Sequence, residues 1–331
     1  MLVYVDDILV TGTCSRVVSA FIAALNARFV TGDLGDLNFF LGIKVVSRPD
    51  GSLLLSQRQY MVDILAKSNM LACKPAFTPL PITPVPISRE DAPPDPTTYR
   101  QILGSLHYLT LTCLDLSFAV NKACQYMHDP QVEHMVMVKR ILHYVKAMLD
   151  LGLVIIPSYF SVQAFSDADW ADSVSNRRST GGYLVYMGPN LVSWQSKKQC
   201  TVARSSIECE YKALANCAAE LSWLVSLLGE LHVPISAAPV LWCDNLGATF
   251  LSANPVFHAR TKHIEIDFHF VREKVARKEL VVRFISTKES LADILTKPLS
   301  HVRFKFFIAK LRLVCRVTSA CEGSIGRDAP P

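Results

Sequence analysis

Long hydrophobic runs are missing from this sequence of 331 residues. None approaches the roughly 18 apolar residues of a membrane-spanning helix, so no membrane partner is expected. The opening Met1-Leu2-Val3-Tyr4-Val5 meets Asp6-Asp7 at once, which leaves no apolar core for a signal peptide. An intracellular place, cytoplasm or nucleus, is the expectation. The ten cysteines include no C-x-x-C pair, which excludes a zinc ribbon. Without a secretion signal they are expected to be reduced core residues rather than a disulfide scaffold. Internal repeats are also lacking, and so is a strong charge imbalance. A net charge of +5 with 19% charged residues permits a nucleic-acid partner without requiring one.

What is present is room for two domains. Leu2 to Val5 and Ile8 to Val10 are β-prone runs around Asp6-Asp7, a hairpin with carboxylates at its tip or a plain Asp-containing turn. Residues 17–29 have helical spacing. Residues 38–46 and 52–56 read as strands about Pro49-Asp50-Gly51, and 57–69 as a helix. Residues 75–96 hold eight of the eighteen prolines and read as an extended linker. Residues 99–127 and 133–149 read as two helical segments. Lys139, Arg140, His143 and Lys146 form a basic face on the second, solvated or in contact with phosphate. From Ser161 the pattern is strand, strand, strand, helix, strand, helix, strand, helix, with the last helix over 289–297. That order predicts an α/β mixed sheet of five strands flanked by helices.

Within that pattern, Ala164-Phe165-Ser166-Asp167-Ala168-Asp169-Trp170 is an apolar run ending in carboxylates. Asp167 is expected at the end of the first strand and Asp244 at the end of strand 240–243. Glu210 falls in the first turns of the long helix 207–228, and Asp293 in the last helix. Four acids at element boundaries can converge. Glu208 competes with Glu210, but Ser205-Ser206-Ile207-Glu208 is a capping box that occupies Glu208 locally. Glu210 lies one turn before Leu214, beside the buried stripe, where a carboxylate is costly unless paired or metal-bound. Asp169 shares a strand face with Asp167 and is harder to separate from it. Clustered carboxylates repel one another unless cations fill the site. Their hard oxygens favour Mg²⁺ or Mn²⁺ over zinc, and two ions suit hydrolysis of a phosphodiester.

Tyr4-Val5-Asp6-Asp7, Leu41-Gly42-Ile43, Phe165-Ser166-Asp167-Ala168-Asp169-Trp170, Arg177-Arg178-Ser179-Thr180, Lys197-Lys198-Gln199, Glu210-Tyr211, Cys243-Asp244-Asn245, Thr261-Lys262-His263 and Ala292-Asp293-Ile294-Leu295-Thr296-Lys297-Pro298 stand in this order. Together they resemble the Pol polyprotein of copia-type LTR retrotransposons, from residue 1 to about 310. The resemblance implies a reverse transcriptase palm and thumb remnant over 1–74, an α+β piece. The Pro-rich linker over 75–98, a helical connection region over 99–157 and a ribonuclease H-like domain over 158–300 follow it. A C-terminal helix and a disordered tail fill 301–331. It also implies Mg²⁺-dependent cleavage of the RNA strand of an RNA/DNA hybrid, with Asp167, Glu210, Asp244 and Asp293 as catalytic metal ligands. Asp6 and Asp7 correspond to the polymerase hairpin. The chain starts there, so the remaining polymerase carboxylate has no counterpart and no polymerase activity is expected. Other Pol segments are possible partners. Arg177, Arg178, Lys197, Lys198 and Arg204 add positive charge for hybrid phosphates, each equally readable as a solvated surface charge. Lys262 and His263 join this nucleic-acid-binding set without an assignable role. Trp170 is expected to pack rather than stack on substrate. A different class of function, a non-catalytic nucleic-acid-binding relic, is the competing expectation.

Overall fold

The computed structural model describes residues 1–83, 94–173, 176–235, 237–253, 265–311 and the backbone of 313–315. At the start, β1 (Leu2–Tyr4) and β2 (Asp7–Leu9) form an antiparallel hairpin with Tyr4 opposite Asp7. The following α1 (Ser15–Asn26) has an apolar face but buries no residue. The single strand expected over 38–46 is broken. β3 (Phe39–Phe40) folds back on β4 (Ile43–Ser47) because Leu41 and Gly42 both take positive φ, 48° and 68°. Two successive left-handed residues reverse the chain, and glycine adopts that conformation without a steric penalty. β5 (Leu53–Ser56) pairs with β4 across the expected Asp50-Gly51 turn, where Asp50 Oδ1 accepts from Ser52 N at 2.9 Å. α2 (Arg58–Lys67) then buries Met61, Ile64 and Leu65.

The helical segment expected over 99–127 is interrupted. α3 (Pro96–Leu109) starts at a proline capped by Asp95, whose carboxylate accepts from Thr98 N at 2.8 Å. It stops where distant partners capture the local polar groups. Trp194 Nε1 donates to Thr110 O at 2.9 Å, and Thr112 Oγ1 donates to Gln57 Oε1 at 2.7 Å. A 3-10 turn (Leu114–Leu116), α4 (Ser117–Cys124) and α5 (Val132–Ala147) follow. The basic face of α5 is partly occupied by the proline-rich segment. Arg140 donates to Thr78 O at 3.1 Å, and His143 O accepts from Ala76 N at 2.9 Å. Ala76, Thr78 and Leu80 are accordingly buried. β6 (Leu151–Ile155), not expected from the sequence, pairs antiparallel with β5.

β7 (Val162–Asp169), β8 (Thr180–Met187) and β9 (Asn190–Lys198) form an antiparallel meander. α6 (Ser206–Glu230), β10 (Val240–Cys243), α7 (Leu246–Ala253), α8 (Glu265–Ala276) and β11 (Val281–Phe284) follow. The sheet order is β11-β10-β7-β8-β9, with β10 parallel to both neighbours. This is the expected mixed five-stranded sheet. Val162, Ala164, Tyr183 and Val185 on one face pack against Tyr211, Leu214 and Leu221 of α6 and Phe268 of α8. Phe165, Leu184 and Tyr186 on the other face share a core with Tyr99, Leu103 and Leu106 of α3 and Ile141 of α5. Those helices therefore cover the second face of the sheet.

Two expectations about the site's elements are corrected. β7 runs on to Asp169, so Asp167 lies inside the strand rather than at its end. The helix expected over 289–297 is a 3-10 turn (Leu291–Leu295). It presses close to the sheet: a Cβ added at Gly182 would lie 2.7 Å from Leu295 Cβ. After it come α9 (His301–Lys310) and the backbone strand β12 (Leu313–Cys315), which pairs with β6. The second sheet is therefore ordered β12-β6-β5-β4-β3. The tail from Ser319 onward lies outside the described residues.

Candidate metal centre

The register of the sheet brings the first two acids together. Cys243 of β10 pairs in parallel with Ser166 of β7, so the next residues, Asp244 and Asp167, are neighbours. Glu210 enters from the second turn of α6, and Asp293 from the 3-10 turn. Asp167, Asp244 and Asp293 have carboxylate oxygens within 4.8 Å of one another, and Glu210 reaches Asp244 and Cys243 Sγ at the same range. The structure thus gathers all four acids into two triads that share Asp244.

Local chemistry sorts Glu208 from Glu210. Ser205 Oγ accepts from Glu208 N at 3.2 Å, as the capping box requires. Glu208 Oε2 accepts from Arg204 N at 2.8 Å, one residue before the cap, and Oε1 pairs with Lys212 at 2.7 Å. Glu210 accepts from the backbone of Ala168, while its Oε2 is buried with no hydrogen-bond partner. Burial first, and then Asp167 and Asp244, raise the Glu210 pKa well above the usual carboxylate range. The same pressures, burial and then Asp167, raise Asp244 and Asp293.

Residues without a sequence-assigned role complete the centre. Lys297, one helical turn beyond Asp293, places Nζ 3.0 Å from Asp293 Oδ1 and 3.4 Å from Asp167 Oδ2. The first contact is an ion pair within the buried cluster. Burial opposes the Lys297 charge, but Asp167 and Asp293 outweigh it and raise its pKa. Thr296 Oγ1 donates to Asp167 Oδ2, Arg303 Nη2 donates to Asp293 Oδ2, and the Thr287 side chain hydrogen-bonds Asp244. The i, i+4 spacing of Asp293 and Lys297 is a signal that the sequence carries for that pair. Thr287 and Arg303 are tertiary neighbours and carry none.

Asp169, half-buried on the strand face of Asp167, is in neither triad. Burial and Asp172 raise its pKa. Trp170 is half-exposed, and its Nε1 donates to Ala203 O at 3.1 Å, so it is anchored without being packed. Arg177, Arg178, Lys197 and Arg204 are exposed around the sheet edge. Lys198 is not free: it donates to Gln125 Oε1 at 2.7 Å and Ser173 Oγ at 2.8 Å. Lys122 of α4 lies close enough to Asp172 and Asp169 to offset part of the rise that burial imposes on both, and it adds a cation to this surface. Lys262 and His263 lie outside the described residues. At the far end of the chain Asp6 and Asp7 stay on the exposed hairpin, and among the described residues no third metal-ligating group gathers with them.

The family described as "Reverse transcriptase (RNA-dependent DNA polymerase)" matches residues 1–82. The Pol polyprotein of transposon RE2 from Arabidopsis thaliana is 47% identical over 98% of this chain. That of transposon TNT 1-94 from Nicotiana tabacum is 35% identical over 92%. The chain belongs to the Pol polyproteins of copia-type retrotransposons. It spans 22% and 24% of the lengths of these two Pol relatives. Among solved structures, LC11-RNase H1 in complex with RNA/DNA hybrid overlaps 41% of this Pol segment and 94% of its own chain. The identity is 13% and the TM-score 0.31. In this part of the chain the sheet order is β11-β10-β7-β8-β9, with β10 parallel to both neighbours.

Proposed function

We propose that this Pol segment hydrolyses the RNA strand of RNA/DNA hybrids at the centre formed by Asp167, Glu210, Asp244 and Asp293. The observation that carries this reading is the convergence of four buried or half-buried carboxylates from four separate elements. The four carboxylates offer the hard oxygens that suit a divalent ion, burial keeps the neighbouring Cys243 thiol protonated, and the buried, unpartnered Glu210 Oε2 is the kind of atom an Mg²⁺ or Mn²⁺ ion satisfies. Asp167, Asp244 and Asp293 would hold one ion and Glu210 with Asp244 a second. When bound, the ions supply Lewis-acid activation of a water and charge stabilisation at the leaving oxygen.

The chain's own groups prepare the centre. Thr296, Thr287 and the backbone of Ala168 orient Asp167, Asp244 and Glu210 by hydrogen bonds. Lys297 compensates the carboxylate charge from within the cluster. Arg177, Arg178, Lys197 and Arg204 offer phosphate contacts along the exposed edge, and the 2′-hydroxyl of RNA is what distinguishes the strand to be cut. Residues 1–74 are the polymerase-derived part, 99–157 the connection and 158–300 the nuclease, and other Pol segments would supply the rest of a polymerase.

The test is cleavage of the labelled RNA strand of a hybrid in Mg²⁺, compared with Asp244→Asn. Cleavage by the wild type and its loss in the variant is the expected result. Equal rates in both would place any observed cleavage elsewhere. Hybrid binding by the wild type without cleavage would favour the non-catalytic reading.

A further inference from the structure

The Asp293 carboxylate is held from outside the sheet domain. Arg303 is the third residue of α9, where Ser300 Oγ caps the helix by accepting from Arg303 N at 3.3 Å. Its Nη2 donates to Asp293 Oδ2 and, at 2.6 Å, to Thr287 O. The Thr287 side chain in turn holds Asp244, so one guanidinium ties together the supports of two of the four acids. The grip falls on Oδ2 and leaves Oδ1, buried and without a hydrogen-bond partner, on the side of Lys297 and the cluster.

The arginine is itself fixed in place. Its guanidinium carbon lies 5.4 Å from the centre of the Phe307 ring, and Phe307 is fully buried. Phe304, on the same helix, meets Tyr144 of α5 edge-on at 5.5 Å. Tyr144 donates to the buried Asp115 in the connection region. A chain of packed and hydrogen-bonded side chains therefore runs from the connection helices through α9 to Asp293.

We propose that Arg303 is a positioning residue for the metal centre. It holds Asp293 Oδ2 so that Oδ1 is presented to the ion, and the functional unit extends through α9 beyond residue 300. This rests on the proposed nuclease reading. It follows from the general behaviour of ligating carboxylates, whose second oxygen is fixed by an outer partner and whose loss of that partner costs about 10–100-fold in metal affinity or activity.

The experiment uses the full chain and titrates Mn²⁺ by calorimetry without nucleic acid, alongside melting curves and the Mn²⁺ dependence of hybrid cleavage. Arg303→Gln is expected to bind Mn²⁺ about 10–100-fold more weakly, with cleavage recovering at raised Mn²⁺. Arg303→Lys keeps the charge without the planar fork and is expected to fall between the variant and the wild type. Lys305→Gln, an exposed charge on the same helix, is expected to match the wild type. A folded Arg303→Gln with wild-type Mn²⁺ affinity and metal dependence would overturn the proposal. If Arg303→Gln does not fold, Arg303→Lys decides by the same criterion, and failure of both to fold in saturating Mn²⁺ makes Arg303 a structural residue only. If the wild type binds Mn²⁺ but leaves hybrid intact, the nuclease reading falls while the positioning role is still read from affinity. If hybrid is cut and the variants bind normally, only the positioning role falls.

Discussion

Gly182 lies directly across the β7–β8 ladder from Asp167, and it is the reason the 3-10 turn can reach the sheet. A Cβ there would come within 2.7 Å of Leu295 Cβ and 3.1 Å of Thr296 Cγ2. Thr296 donates to Asp167, and Asp293 sits in the same turn, so the missing side chain sets the spacing between two of the acids. Gly182→Ala is expected to push the turn outward. Overpacking of this kind costs about 1–3 kcal/mol. Melting curves should show the loss, and Mn²⁺ titration should show weakened binding. A variant with unchanged stability and affinity would mean that the turn yields freely.

Lys297 stands among the acids as a fixed cation. Lys297→Met leaves Asp167 without a cationic partner and Asp293 with Arg303 alone, and breaking a fully buried pair costs about 3–5 kcal/mol. The Lys297 side chain is 30% exposed, so solvent screening reduces the expected loss to roughly 1–2 kcal/mol. Thermal melts in EDTA should show the variant below the wild type, with a larger rise on adding Mn²⁺. An equal rise in both would show that the ammonium does not compete for the carboxylates.

The raised carboxylates give the metal-free protein a defined pH response. Glu210, Asp244 and Asp293 have folded-state pKa values above their unfolded values near 4. At these three groups the folded state therefore holds more protons than the unfolded state, and their contribution to stability falls as pH rises through the folded values. Melts in EDTA between about pH 5 and about pH 8 should show this decline. Glu210→Gln should flatten it, and a slope unchanged in that variant would remove Glu210 as a contributor.

Lys122 tests whether α4 touches nucleic acid. If it contacts a hybrid phosphate, Lys122→Gln weakens hybrid binding and lowers the slope of log affinity against log salt by about 1. Fluorescence anisotropy at several salt concentrations reads both quantities. Mn²⁺ affinity should stay unchanged, and a fall in metal affinity instead would assign Lys122 to the centre.

The acids were legible because local rules place them. The Ser205 cap set Glu208 apart from Glu210, and the apolar runs before Asp167 and Asp244 marked strands that the sheet places side by side. Distant contacts were not legible. The strand at Leu151–Ile155 follows a helix without a turn signal, and it is a strand because β5 pairs with it. The break at Leu41-Gly42 depends on Leu41 adopting a conformation that its side chain does not announce. The partner of the Trp170 indole, Ala203 O, lies 33 residues away and is likewise not marked by any local pattern. Arg303 is ten residues from Asp293 and no sequence period links them; only the seating of α9 brings them together.

The sheet β12-β6-β5-β4-β3 carries a consequence for how the molecule comes apart. Its strands come from residues 39–56, within the stretch that matches the reverse transcriptase family, from residues 151–155 and from residues 313–315. Backbone hydrogen bonds therefore tie together segments far apart in sequence, and a cut between them would leave an open edge on each side. Heat should melt the five strands together in one cooperative step, read by a single transition in a thermal scan.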